Sequence, residues 1–251
     1  MTSQPTTEHP TSHAGVYPAE HGHMGNGQSP DDTDGRVGRR SAPLAERRPG
    51  DGMDTAAETV DKRIADPGPL GLAAFAMTTF VLSVFNANII SNEKLEVVVL
   101  PLALFYGGFA QLLAGMWEFK KGNTFGATAF SSFGAFWLAY AAYAKYVLPG
   151  IQDRPDAYKA TGLFLLAWSI FAAMLFFAAI RISGALTLVF ASATAAFVLL
   201  TIGSFAQSDT ITHLGGILGL VAAGCAWYAA WAGVMNDTWK RTVLPVLEIK
   251  R

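Results

Sequence analysis

Six apolar segments, each close to twenty residues long and none charged near its centre, dominate the chain: 70–90, 97–117, 125–147, 160–180, 185–205 and 211–234. A helix of about twenty apolar residues is as long as a hydrocarbon core is thick. Soluble helices bury one stripe and wet the rest, whereas these segments are apolar on every side. In lipid, backbone polar groups must be satisfied within the segment, which a helix achieves. The expected fold class is therefore an all-α integral membrane protein with six transmembrane helices. Only 15% of the 251 residues are charged, against about 25% in an average soluble domain.

The rest of the chain divides around that domain. Residues 1–65 are rich in Pro, Gly, Ser, Thr, Asp and His, with almost no apolar clustering. Such a segment buries too little surface to offset its chain entropy, so a disordered cytoplasmic tail is expected. His9, His13, His21 and His23 lie in it. Without cysteine or acidic ligands at metal spacing they read as a solvated tract rather than a metal site. The single cysteine, Cys225, excludes an intramolecular disulfide. No metal or other cofactor is expected, and no nucleic-acid partner. Residues 66–235 form the membrane domain, and 236–251 a short second tail.

Asp66-Pro67-Gly68-Pro69 opens the first segment. Proline lacks an N–H and fixes φ, which suits only a first helical turn, and Asp66 is placed to cap it. The basic residues flanking the spans set the orientation. Lys62, Arg63, Lys120, Lys121, Arg181, Lys240 and Arg241 collect on one side, while on the other Lys94, Arg154 and Lys159 are diluted by Glu93, Glu96, Asp153 and Asp156. Both termini are expected inside the cell, with membrane lipid around the spans.

No nucleophile–base set, HExxH or phosphate loop is present, so an enzyme is not expected. Ionisable groups sit only near span ends: Glu118, Lys145, Arg181, Asp209 and His213. A charged relay at mid-membrane is therefore absent from the pattern. Amides and hydroxyls take its place. Phe75, Thr79, Leu82 and Asn86 follow i, i+4, i+7, i+11 spacing and share one helical stripe, as do Leu104, Gly108, Gln111 and Gly115. Thr187, Thr194 and Thr201 recur every seven residues. These groups suit either a path for a small polar solute or hydrogen bonding between helices. Gly215, Gly219 and Ala223 form a small-residue seam for helix packing. His213, four residues after Asp209, reads either as a proton-sensing group or as an interfacial anchor. Glu118 is expected in interfacial ion pairs with Lys120 and Lys121.

Three blocks carry a likeness to a known family. The first is Asp66-Pro67-Gly68-Pro69-Leu70-Gly71-Leu72 followed by Phe75 and Met77-Thr78-Thr79. The second runs from Phe105-Tyr106-Gly107-Gly108 through Gln111, Ala114-Gly115, Glu118 and Lys121-Gly122-Asn123-Thr124-Phe125-Gly126 to Phe136-Trp137, and the third is Thr242-Val243-Leu244-Pro245. Over residues 64–247 the chain resembles the acetate uptake transporter family. The resemblance implies a homo-hexamer of six-helix subunits, each with its own central pore in the plasma membrane. It also implies uptake of acetate and related short monocarboxylates, succinate in some members, with protons. The family's apolar constriction of Phe, Tyr and Leu falls on Phe75, Phe133 and Ala193. Asp66, Gly68, Phe133 and Ala193 depart from the family pattern. The smaller Ala193 implies a wider constriction unless Phe190 or Phe197 fills the space, and with it a broader substrate range. Thr79, Asn86, Gln111, Asn123, Thr124 and Thr194 are the candidates for the substrate path. Glu118, Asp209 and His213 are those for proton coupling. Rival readings are a passive channel for a small solute such as ammonia or acetic acid, and a membrane protein that senses carboxylates.

Overall fold

Each break between apolar segments becomes a helix cap, and the caps define six helices. The computed structural model describes residues 64–247 and Ile249. The tail expected over 1–65 lies outside the described residues, apart from Ile64 and Ala65. Helix α1 is Gly68–Asn86 and α2 is Lys94–Lys121. Helix α3 is Thr124–Ala142, prolonged by a π-helical turn, Tyr143–Val147, and a short turn, Leu148–Ile151. Helices α4, α5 and α6 are Ala157–Ala179, Gly184–Ala206 and Asp209–Trp239. Among the described residues there is no β-strand element.

The caps show why these boundaries fall where they do. Gly122, at φ +81°, ends α2 in the left-handed conformation glycine adopts without strain. Asn123 then accepts the Gly126 N–H at 3.1 Å to start α3. Ser183 accepts the Leu186 N–H at 3.2 Å at the start of α5. Asp66 Oδ1 accepts the Gly68 N–H at 3.0 Å, as the sequence suggests. The first helix stops at Asn86, short of the expected Ile90, because Asn88 turns to φ 55°. That left-handed region is open to asparagine and costly for isoleucine. The chain after α3 continues in helix through Pro149 instead of opening into a loop at Leu148, since proline fits a first turn.

Five of the helices are long and apolar enough to cross a membrane: α1, α2, α4, α5 and α6. Helix α3 falls outside that group because Ser131, Ser132, Trp137, Tyr140 and two glycines dilute its apolar content. It buries Phe130, Phe133, Phe136 and Trp137 among its neighbours. Large apolar side chains elsewhere face outward, Phe105, Phe177 and Leu188 among them, as lipid-facing positions do.

Helices α1 and α6, α5 and α6, α4 and α5, and α2 and α3 form the main packed pairs. The Gly215–Gly219 seam is a packing surface, as its spacing indicates. Gly215 abuts Leu200 of α5, Gly219 abuts Ser83 of α1, and Gly216 lies against the Asn86–Ala87 backbone. After α6 the chain folds back. Asn236 Oδ1 accepts the Val243 and Leu244 N–H groups and its Nδ2 donates to Leu244 O. Tyr228 Oη donates to Pro245 O at 2.7 Å. The Gly184 and Ala185 N–H groups donate to Leu247 O and Val246 O. The turn before α5 and the segment after α6 are thereby stitched together.

Candidate functional site

Because α1, α3 and α5 each place one residue type at matching depth, their inward faces meet in an aromatic plug. Phe75 of α1 and Phe133 of α3 lie edge to face, 5.5 Å between centroids. Phe133 is 2% exposed and also touches Phe136, Trp168, Phe171, Phe190 and Phe197. Ala193 of α5 completes the set and is buried beside Phe190 and Phe197. All three residues expected at a constriction are thus in one place. Ala193 borders both the small space at the plug, with Phe190, and the larger cavity beside it, with Phe197. Only about 10 Å³ of open space remains between Phe75, Gln111, Phe133, Phe190 and Ala193.

On one side of the plug lies a cavity of about 620 Å³. The predicted stripe of α1 (Phe75, Thr79, Leu82 and Asn86) lines it, opposite Phe136, Trp137 and Tyr140 of α3 and Ala193, Ala196 and Phe197 of α5. The wall is largely apolar, and two polar atoms within it stand out. Thr79 Oγ1 and Trp137 Nε1 are buried and have no protein partner. A buried polar group without a hydrogen bond costs about 1–3 kcal/mol; these two donors lie beneath opposite sides of the cavity, on α1 and α3, and meet a ligand's acceptor when their side chains turn toward it. Gln111 Oε1, on the wall of the small space beside the plug, is a third such atom, on a side chain 1% exposed.

Across the plug, a second polar cluster surrounds the starts of α1 and α3. Glu118 is 1% exposed and its Oε2 accepts from Asn123 Nδ2 at 2.8 Å. The ion pair differs from the sequence reading. Lys121 Nζ lies 3.0 Å from Asp66 Oδ1, while Glu118 turns inward to Asn123. Asp66 and Asn123 themselves occupy the first-turn N–H groups, and Thr124 is exposed.

Other expected site residues are placed elsewhere. Thr194 Oγ1 is buried without a partner, yet Thr194 does not line the cavity. Thr187 and Thr201 bond to carbonyls of Ala179, Ser183 and Phe197, and Thr201 also to Ser169. Theirs is the helix-to-helix role. Asp209 is exposed and His213 half-buried, and neither lines the cavity. The sequence reading passed over Trp137 as a donor, and over Glu96, Tyr140, Tyr143 and Thr161 at the cavity rim. Tyr140 Oη donates to Glu96 Oε1 at 3.1 Å, and the Tyr143 and Thr161 hydroxyls bond at 2.7 Å. Their i, i+3 spacing on α3 was the available signal.

Comparison with known proteins accounts for this arrangement. The chain is 41% identical to the succinate-acetate/proton symporter SatP of Escherichia coli (strain K12) over 186 residues, which is 74% of this chain and 97% of that protein. It is 42% identical over 204 residues to acetate permease A of Emericella nidulans, covering 74% of this chain and 66% of the permease. Among solved structures, that of the bacterial acetate channel SatP superposes with a TM-score of 0.67 at 40% identity, over 73% of this chain and 99% of that one. The model of the GPR1/FUN34/yaaH family matches residues 50–251. With the family model, the identity to SatP and the helical fold in agreement, the chain belongs to the GPR1/FUN34/yaaH family of membrane transporters.

Proposed function

We propose that this chain carries acetate and related short monocarboxylates across the plasma membrane by way of the cavity and the plug. One observation carries the reading: a mostly apolar cavity of about 620 Å³, lined by Thr79, Asn86, Trp137 and Tyr140, lies beside the Phe75–Phe133 contact. A carboxyl group leaving water needs donors, and neutral ones hold it without trapping it as a guanidinium would. Phe75 and Phe133 then block hydrated ions until the rings part. Six spans with both termini inside, and a hexameric assembly with one pore per subunit, fit the family. Gln111 continues the path past the plug. Glu118 is the favoured group for proton coupling, being buried, whereas Asp209 is exposed and His213 half-buried; all three lie off the cavity.

Radiolabelled acetate uptake into proteoliposomes, competed by propionate, butyrate and succinate, tests the substrate class. No saturable acetate uptake would overturn it. The cavity wall also supports a second reading, a passive channel for acetic acid or ammonia, since it holds no lysine, arginine or histidine. Concentrative uptake driven by a pH gradient excludes that channel. A carboxylate sensor would lose its output on deletion of residues 1–60, whereas a transporter keeps its flux.

A further inference from the structure

The cavity rim carries one ionisable carboxylate, Glu96, and no lysine, arginine or histidine side chain lines the cavity among the described residues. Glu96 sits in the 3-10 segment Glu93–Val98 at the start of α2 and reaches across to α3, where Tyr140 Oη donates to its Oε1 at 3.1 Å. Tyr143 of α3 and Thr161 of α4 line the same cavity. The hydrogen bond fixes the carboxylate on the wall, instead of leaving it free to swing into water.

The geometry points to Glu96 as a specificity-determining residue, a charge filter at the mouth that selects against dicarboxylates. This rests on the transport function proposed above. Coulomb repulsion between Glu96 and a solute in the cavity scales with the solute's charge. Near neutral pH succinate carries two negative charges, acetate one, and acetic acid none. Thr79 and Trp137, whose donors would hold a carboxyl, line the same cavity as Glu96. A monocarboxylate offers them its single head, whereas a dianion keeps a second charge within the field of Glu96.

The test is the ratio of succinate to acetate initial uptake in proteoliposomes, measured for the unmodified chain, Glu96→Gln and Glu96→Asp. Because it is a ratio, the amount of folded protein cancels. Glu96→Gln, which keeps shape and loses charge, should raise the ratio about three- to tenfold. Glu96→Asp should retain the low ratio. In the unmodified chain, raising the ionic strength at fixed osmolarity should raise the ratio too, because salt screens exposed charge. A ratio insensitive to both Glu96→Gln and salt overturns the filter while leaving the transport reading intact. An equal rise for Glu96→Asp overturns it as well, by assigning the effect to shape. Absence of any carboxylate flux in the unmodified chain overturns both.

Discussion

Ala193 illustrates how much one side chain decides at the plug. It is buried between Phe190 and Phe197 and faces Phe75 and Phe133. Ala193→Leu adds three carbons at a position that borders both the space of about 10 Å³ and the 620 Å³ cavity; toward the plug the larger side chain overpacks, at about 1–3 kcal/mol, and toward the cavity it narrows the path. Acetate uptake by Ala193→Leu should fall about tenfold with the melting temperature lowered, measured in the same detergent preparation. Phe133→Tyr sets a hydroxyl among six aromatic rings. It should lower stability by about 1–3 kcal/mol unless the hydroxyl reaches Gln111 Oε1, and a melting temperature equal to or above that of the unmodified chain would identify that bond. Sequence alone brought Phe75, Phe133 and Ala193 to one place through a family likeness, not through spacing. What it lacked was the packing: nothing in the order of residues says that Phe133 meets Phe75, Phe136, Trp168, Phe171, Phe190 and Phe197 at once.

At the scale of helices, caps do most of the placing. Asn123 starts α3 and satisfies Glu118 at the same time. Asn123→Ala should cost about 1–2 kcal/mol for the cap, and more because it takes the donor from a buried carboxylate. Asn123→Ser keeps the cap alone, so thermal unfolding of the two variants separates the contributions. Close helix approach is the other determinant. A Cβ on Gly216 would lie 2.8 Å from Ala87 Cα, so Gly216→Ala must push α6 off α1. It is expected to unfold several degrees lower and to show altered uptake, whereas Gly224→Ala, with open space around it, should do neither. All six helices were legible as apolar runs, α3 among them although its buried polar and aromatic residues lower its hydropathy, and the caps were legible as residue types. The π-helical turns, Phe105–Ala110 and Tyr143–Val147, left no signal, because an inserted residue changes register without changing composition.

Across the whole molecule, the segment after α6 joins what the sequence reading kept apart. Asn236→Ala removes three of its hydrogen bonds. Limited proteolysis should then cleave within 242–249 faster than in the unmodified chain, with the six helices retained by circular dichroism. Lacing one end of α6 to the start of α5 also restricts how this protein can move. Helices α5 and α6 are joined at their other end by Gln207 and Ser208 alone, so the pair is held at both ends like a staple. The stitches lie at the end away from the 620 Å³ cavity and the two-residue link at the cavity end. On the transport function proposed above, that pair is the fixed frame, and opening falls to the rings of Phe75 and Phe133, a swinging door within it.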